Sequence, residues 1–356
     1  WQELHAAYDF GYLGSLGLEG IEKPIRYYRL KRPAKGERDE NSFVGRDTEL
    51  QDIRETIDNA LADRENIIIY VSGDAGIGKS RLVSEALAVY KQPKGNAQSQ
   101  YQFTFISCDA ILRKPLEAIK QMLRSQFYYN PSLPPEAAIP MFRVLWGVIS
   151  PGDSEMQRIE SFLASLLGYE WGNSIWSMLP AEERPKQLKN AFVYYLSKLC
   201  QSKAIIIHLD DGQCLDEESK DYFQAISKAE LCPVIFISPC RYLEDGSKAD
   251  LQLPGHRRID IELDSLSENS CVELSKSILR LHEIPIATQE LIFNRSMGNP
   301  LFIEQLSAYL METGSLSAKG VIVQELGYLS SFSISDIVSN RDRKSTRLNS
   351  SHRIRS

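Results

Sequence analysis

Residues 67–80 read Ile-Ile-Ile-Tyr-Val-Ser-Gly-Asp-Ala-Gly-Ile-Gly-Lys-Ser, and they are the most informative part of the sequence about its fold. Residues 67–71 are a short apolar run rich in β-branched side chains, which predicts a buried strand. The run leads into the pattern G-x-x-x-x-G-K-[ST] at residues 73–80, and a helical pattern follows at 81–90. A strand, a glycine-rich loop and a helix in this order predict a phosphate-binding loop, whereas a chance glycine-rich turn would not need all the specified residues.

Each part of this loop has a chemical task. Glycines at 73, 76 and 78 can adopt backbone conformations closed to other residues, so successive N–H groups can point inward around phosphate oxygens. Lys79 can reach the β and γ phosphates, and the Ser80 hydroxyl can ligate Mg²⁺ at a helix N-terminus, where the helix dipole favours anions. The predicted nucleotide contacts in this region are Gly73, Asp74, Ala75, Gly76, Ile77, Gly78, Lys79, Ser80 and Arg81.

Two carboxylates follow a second apolar run, Ala-Ile-Ile-Ile-His-Leu at residues 204–209. A buried parallel strand delivers its C-terminal residues to the sheet edge where ligands bind. We therefore expect Asp210 to hold Mg²⁺ through its water shell and Asp211 to orient or deprotonate an attacking water. Asp-Asp-Gly is also an ordinary turn sequence, so this interpretation depends on the loop upstream. His208 is predicted to be a packed core imidazole.

The composition is that of an ordinary globular chain, with 43% hydrophobic and 25% charged residues. A length of 356 residues predicts two or three domains. No stretch approaches the ~18 to 20 consecutive apolar residues of a membrane span, and the N-terminus lacks the layout of a signal peptide. The six cysteines occur singly without metal-ligand spacing, which indicates reduced thiols in a cytoplasmic protein.

Two further segments carry a resemblance to known ATPases. Residues 43–50, Phe-Val-Gly-Arg-Asp-Thr-Glu-Leu, resemble the opening motif of AAA-type ATPase domains and of the STAND signalling NTPases. Residues 298–306, Gly-Asn-Pro-Leu-Phe-Ile-Glu-Gln-Leu, resemble the Gly-Asn-Pro-Leu-Phe-[IV]-Glu-Glu-Leu motif of STAND proteins. The resemblance implies that Val44, Gly45 and Arg46 lie against adenine and ribose. It also implies that Pro300 abuts the adenine and couples the nucleotide state to a helical lid.

The same resemblance interprets a third apolar strand at residues 233–238. In STAND and related ATPases a polar residue and an arginine at the end of this strand sense the γ-phosphate. Arg241 matches the arginine and Ser238 is a loose match for the polar residue, although an arginine at a strand end is usually solvated or paired. Residues 213–216, Gln-Cys-Leu-Asp, keep only the last residue of the family's Leu-His-Trp-Ala-Asp, which predicts slow hydrolysis or none.

The N-terminal residues carry a separate resemblance. Residues 8–30 contain four glycines among alternating apolar positions, which predicts a short β-hairpin. Residues 16–21 and the strand that follows Pro24 resemble the last strands of class III adenylate/guanylate cyclase domains, with Glu19 where lysine is usual. The resemblance implies a C-terminal cyclase remnant that lacks the metal-binding aspartates, so it cannot itself cyclise a nucleotide. An unrelated hairpin is the alternative.

The C-terminal residues are basic, while the whole chain has a net charge of −6. Residues 341–356 carry six basic side chains and one acidic side chain, a pattern typical of nucleic-acid binding. However, residues 342–352 resemble translated sequencing-adaptor read-through, so we interpret the tail as an artefact and do not favour nucleic acid as a partner. With this tail and Trp1 at the front, the chain is interpreted as a fragment of a longer protein.

The sequence as a whole predicts an α/β fold of the P-loop NTPase type, with five parallel strands flanked by helices, a helical lid after the sheet and a short β remnant at the N-terminus. The predicted function is that of an ATP-binding regulatory module, with ATP and Mg²⁺ as cofactors, in a multidomain cyclase signalling protein whose other domains are its partners. The alternatives are a STAND transcription regulator with a DNA-binding domain and an AAA-type remodelling ATPase. The predicted catalytic residues are Lys79, Asp210, Asp211 and Arg241, and the predicted metal ligands are Ser80 and Asp210.

The sequence also predicts how the chain is divided into segments. These are 1–33 (cyclase remnant), 34–42 (linker), 43–263 (ATPase domain), 264–340 (lid) and 341–356 (artefact tail).

Overall fold

The computed structural model describes residues 8–16, 25–33, 43–91, 101–109, 114–229, 233–242, 246–317 and 319–323. The chain divides into two compact units. One unit comprises residues 46–265 and 299–301, and the other comprises 1–45, 266–298 and 302–356, each as far as it is described. The predicted linker, the predicted artefact tail and the last part of the predicted lid, 324–340, lie outside the described residues.

Strands and helices are interspersed through the first of these units. The strands of the whole chain are β1 (Tyr8–Leu16), β2 (Ile25–Pro33), β3 (Ile67–Gly73), β4 (Tyr101–Ser107), β5 (Ala204–Asp210), β6 (Val234–Pro239) and β7 (Arg257–Leu263). The helices are α1 (Asp47–Asp63), α2 (Lys79–Ala86), α3 (Ala88–Lys91), α4 (Glu117–Gln126), α5 (Pro135–Ile149), α6 (Ser154–Leu166), α7 (Ile175–Met178), α8 (Arg184–Ser202), α9 (Glu217–Lys228), α10 (Glu268–Leu279), α11 (Ile286–Ser296) and α12 (Pro300–Glu312).

A five-stranded sheet in the order β4-β5-β6-β3-β7 forms the centre of the first unit. All four strand pairs are parallel. Every residue of β3 and of β6 is buried, because a parallel sheet covered on both faces needs continuous apolar runs. This arrangement confirms the predicted fold. The carboxyl ends of β3, β5 and β6 lie at one edge of the sheet, where the predicted site residues follow the strands.

Helices α4–α9 pack on the sheet through a large aromatic core. Its members include Phe142, Trp146 and Phe192, together with sheet residues such as Ile205 and Ile207. The stretch 128–185, with its mixed apolar spacing, therefore contributes packing helices. Aromatic rings remove 150–250 Å² each from water, so this layer supplies much of the hydrophobic stabilisation of the sheet.

The second unit contains a hairpin and a group of helices. Strands β1 and β2 pair antiparallel, as predicted, and the turn between them lies outside the described residues. Ser267 caps α10 by accepting a hydrogen bond from the Ser270 N–H, and Gly298 follows the end of α11 with φ +75°. The core residues contributed by α10–α12 and their connections are Leu266, Cys271, Leu274, Leu279, Ile284, Ile292, Ile303, Leu306 and Leu310. Among the helices of the described residues, none combines the length and apolar character needed to cross a bilayer.

Candidate nucleotide-binding site

The loop between β3 and α2 folds around its own lysine. The Lys79 Nζ donates hydrogen bonds to the carbonyl oxygens of Gly73 and Asp74, each at 2.7 Å. Burial lowers the pKa of Lys79, and the nearby Arg241 guanidinium acts in the same direction. A buried ammonium needs polar partners, and the loop carbonyls supply them. A phosphate would therefore offer anionic oxygens to a cation that is already placed at the loop.

The three glycines of the loop are needed for different reasons. A Cβ at Gly73 would lie 2.7 Å from the Leu263 carbonyl oxygen. A Cβ at Gly76 would lie 2.8 Å from the Leu301 Cβ, and φ at Gly76 is +79°. Gly78 has φ +99° but open space around its missing Cβ. Gly73 and Gly76 thus permit close packing, whereas Gly78 supplies only a backbone conformation that other residues rarely adopt.

The other predicted loop residues differ in exposure. Ile77 is buried, with 1% of its surface exposed, and anchors the loop in the protein interior. Asp74, Ala75 and Arg81 have exposed side chains. The contribution of Asp74 and Ala75 to the loop is therefore made by their backbone groups.

The hydroxyl of Ser80 lies against the acidic end of β5. Its Oγ donates a hydrogen bond to Asp210 Oδ1 at 3.1 Å, so the first turn of α2 and the end of β5 present two oxygen ligands together. Mg²⁺ prefers such oxygens and is commonly held by one or two carboxylates with phosphates and waters. Within the described part of the chain, no cluster of three or more His, Cys, Asp or Glu side chains could hold a metal. The donor set at Ser80 and Asp210 fits Mg²⁺ bound together with a nucleotide.

Asp211 adopts a left-handed conformation, with φ +53°, directly after β5. The Gln213 Nε2 donates to Asp211 Oδ1 at 3.0 Å, and the Arg241 Nε lies 3.8 Å from the same oxygen. Gln213 Oε1 also accepts from the Arg241 backbone N–H at 3.4 Å. Exposed ion pairs of this kind contribute roughly 1 kcal/mol at most, so the contact can exchange for another. Ser238 is buried, and its Oγ donates a hydrogen bond to the Leu209 carbonyl oxygen. The proton of this hydroxyl is therefore used within the sheet.

The predicted adenine-side residues are distributed over both units. Arg46 precedes α1, is buried, and donates hydrogen bonds to the Glu49 carboxylate and to the Asp264 carbonyl oxygen. Its guanidinium therefore holds protein groups at the start of α1. Val44 and Gly45 belong to the other unit, in which Gly45 has φ +70°.

The segment 299–301 contacts the phosphate loop at two points. The Asn299 Nδ2 donates to the Ala75 carbonyl oxygen at 2.8 Å, and the Leu301 N–H donates to the Gly76 carbonyl oxygen at 3.3 Å. Pro300, the predicted contact, is the first residue of α12 and lies between them. Asparagine directly before a helix-starting proline is a typical helix cap, and Asn299 also lies in the segment 298–306 that resembles the STAND motif, but neither signal indicates a contact with the phosphate loop. Its partner lies 224 residues away.

Comparison with known proteins decides the family. A sequence profile of the AAA ATPase domain family matches residues 42–237, more than half of the chain. The chain belongs to this family. The match includes the phosphate loop, Asp210 and Asp211, so an AAA-type P-loop ATPase module is present. Nucleotide binding, typically with Mg²⁺, is the property of such modules that the site geometry fits.

Similar solved structures are distant. The RuvB Holliday junction branch migration motor of Thermotoga maritima is 11% identical, with 79% of this chain and 73% of that chain covered and a TM-score of 0.38. A STAND protein with a tetratricopeptide repeat sensor from Pyrococcus horikoshii is 15% identical, with 77% and 32% covered and a TM-score of 0.37. Drosophila ORC bound to DNA is 10% identical, with 80% and 59% covered and a TM-score of 0.42. No curated protein matches the chain.

Proposed function

We propose that this AAA ATPase domain binds ATP with Mg²⁺ and acts as a nucleotide-dependent switch that hydrolyses ATP slowly or not at all. The observation that carries the proposal is the contact of 3.1 Å between Ser80 Oγ and Asp210 Oδ1 beside the buried Lys79 ammonium. It joins two oxygen ligands and one cation at the end of a phosphate-binding loop. When bound, Mg²⁺ would neutralise charge on the phosphate oxygens, with Ser80 and Asp210 as its protein ligands.

The remaining polar residues suit a switch. In the proposal Lys79 exchanges the carbonyls of the loop for the β and γ phosphates, Arg241 senses the γ-phosphate, and Asp211 orients water. The Asp211 carboxylate already has Gln213 and Arg241 as partners. Because these contacts are weak, Asp211 can exchange them for water when ATP binds, and the proposal of slow turnover rests on residues 213–216, which keep only the last residue of the family's Leu-His-Trp-Ala-Asp.

Titration calorimetry with ATP and Mg²⁺ tests the binding site. Lys79→Ala should weaken Mg-ATP binding at least about tenfold, equivalent to ~1.4 kcal/mol, because the loop loses its cation. Lys120→Ala is the matched control. Lys120 lies on α4, and its Nζ also donates to a backbone carbonyl, that of Pro115. Equal affinity of the Lys79→Ala protein and the parent would refute the proposed site.

We further propose that the module is the STAND-type regulatory part of a cytoplasmic, multidomain class III cyclase, with the other domains of that protein as partners. The resemblance of residues 16–30 to the last cyclase strands, and the hairpin of β1 and β2, support this proposal. The free thiols of five cysteines support a reducing compartment: Cys108, Cys200, Cys214, Cys240 and Cys271. We place the ATPase domain at 43–263 and the lid at 264–340, and the division of the chain near Leu266 supports this boundary.

The coding sequence around this chain and an ATPase assay test the broader proposal. Paired metal-binding aspartates upstream would support the cyclase. A downstream helix-turn-helix in their place would instead support a transcription regulator, and rapid ATP turnover would support a remodelling ATPase.

A further inference from the structure

Each carbonyl oxygen from Gly73 to Gly76 accepts a hydrogen bond from a residue outside that run. Lys79 Nζ binds the first two, Asn299 Nδ2 binds that of Ala75, and the Leu301 N–H binds that of Gly76. Two separate parts of the chain therefore hold the loop backbone: the loop's own lysine and the segment 299–301. Of the donors from that segment, only the Asn299 amide belongs to a side chain.

A hydrogen bond to a peptide carbonyl fixes the direction of the N–H group of the same peptide. In a planar trans peptide the C=O and the N–H point in opposite directions, so the bond from Asn299 to the Ala75 oxygen turns the Gly76 N–H away from Asn299. Phosphate-binding loops use such N–H groups, pointing to one side, to bind anions. Gly76 has φ +79°, a left-handed conformation that glycine adopts without the strain of a Cβ.

The side chain of Asn299 has little freedom. Only 8% of its surface is exposed. Its Nδ2 donates to Ala75, and its Oδ1 accepts from the Leu301 N–H at 3.1 Å, so both ends of the amide are used. Because both bonds must be kept, one orientation of the amide is favoured, and that orientation places a donor against the loop.

We propose that Asn299 is a positioning residue for the phosphate chain of the nucleotide. It holds the peptide between Ala75 and Gly76 so that the Gly76 N–H faces the bound phosphates. The proposal rests on the proposed function and deepens it. It differs from the role that the sequence resemblance gives to the neighbouring Pro300, because a contact to adenine would act on the base and this one acts on the phosphates.

Inorganic tripolyphosphate separates the two roles, because it has neither base nor sugar. Asn299→Ala should weaken binding of Mg-ATP, Mg-ADP and Mg-tripolyphosphate by a similar factor, roughly three- to tenfold, which is the range expected for loss of one net hydrogen bond. Asn299→Asp keeps the size and the acceptor for Leu301 but places a carboxylate against the Ala75 oxygen. It should weaken all three ligands further, because it also adds negative charge beside the anion site.

Asn66→Ala is the matched control for a merely structural effect. Asn66 is 7% exposed, and its Oδ1 accepts from the Val234 N–H at 2.8 Å. We expect Asn66→Ala to lower thermal stability while leaving the affinity for tripolyphosphate unchanged. Equal losses of affinity in Asn66→Ala and Asn299→Ala would overturn the proposal.

The remaining outcomes are also decisive. If Asn299→Ala weakens ATP but not tripolyphosphate, the residue acts on the base and the proposal is wrong. If the parent binds nucleotide, Lys79→Ala weakens binding and both Asn299 variants bind like the parent, the proposed function stands and the role of Asn299 fails. If the parent binds none of the three ligands, the proposed function fails and this proposal fails with it.

Discussion

Replacing Gly76 by alanine tests the packing of the phosphate loop. The new Cβ would lie 2.8 Å from the Leu301 Cβ and 2.9 Å from Asn299 Oδ1, closer than ordinary van der Waals contact. Overpacking of this kind costs about 1–3 kcal/mol. The φ of +79° adds the cost of a left-handed conformation for a residue with a Cβ, about 1–2 kcal/mol. We therefore expect Gly76→Ala to lower the free energy of unfolding by roughly 2–5 kcal/mol.

Gly78→Ala is the matched control in the same loop. Its φ is +99°, but its Cβ would meet no atom within 4 Å, so it incurs backbone strain without a steric clash. Urea denaturation without nucleotide measures both variants, and the free energy of unfolding is extrapolated to water. Gly76→Ala should be the more destabilised by about 1–3 kcal/mol. Equal destabilisation of the Gly78→Ala and Gly76→Ala proteins would show that close contact with Leu301 and Asn299 does not contribute.

Three further predictions concern acidic and imidazole side chains. Asp211→Asn should keep Mg-ATP binding and lose most of any hydrolysis, whereas Asp210→Asn should also weaken the Mg²⁺ dependence of binding; calorimetry and phosphate release distinguish them, and identical behaviour would contradict the division of roles. Asp216 accepts backbone hydrogen bonds from the first turn of α9 and from Leu116, so Asp216→Ala should lower the free energy of unfolding by about 2 kcal/mol in denaturation without changing nucleotide affinity. Burial lowers the pKa of His208 from 6.5 to about 4, so the unfolded chain takes up the proton first and stability falls as pH drops through this interval. Between pH 7 and pH 4 the free energy of unfolding of His208→Phe should therefore fall by about 3 kcal/mol less than that of the parent, as measured by denaturation at each pH. An unchanged pH dependence would contradict a buried neutral imidazole.

The centre of the sheet could be predicted because β3, β5 and β6 are buried on both faces. Such strands are continuous apolar runs, and those around Ile69, Ile206 and Ile235 stand out from their surroundings. The ends of β4 were harder to predict. Its most apolar part is Phe103–Ile106, but the strand extends from Tyr101 to Ser107 because backbone pairing with β5 continues beyond these residues.

The boundaries of the helices between β4 and β5 could not be predicted from the sequence. In α5, Val144 and Val148 are exposed while Phe142 and Trp146 are buried. Apolar residues therefore occupy both the buried and the exposed face of this helix, and Pro140 lies inside it. A pattern of this kind gives no clear helical period, so the sequence does not show where one helix ends and the next begins.

Some contacts of the candidate site could be predicted from the sequence and others could not. Lys79, Ser80 and Asp210 could be predicted to lie together because a strand, a tight loop and a helix of fixed spacing leave little freedom, and because parallel strands end at one edge. The bond from Gln213 to Asp211 and the bond from Asn299 to Ala75 depend on side-chain direction. No periodicity in the sequence reports that direction, since a polar residue in a turn satisfies its hydrogen bonds equally well with water.

The donors to the loop carbonyls differ in what they must give up when a phosphate binds. In the proposed binding mode Lys79 turns from the oxygens of Gly73 and Asp74 to the ligand, whereas the Asn299 amide need not move. The hydrogen bonds from the Lys79 ammonium to these carbonyls already have a charged donor, and a phosphate oxygen adds attraction between opposite charges, so the ligand replaces two carbonyl partners with better ones. These new partners also favour the charged form of Lys79, whose pKa burial has lowered. Binding can therefore proceed by turning one side chain while the backbone that Asn299 holds keeps its shape.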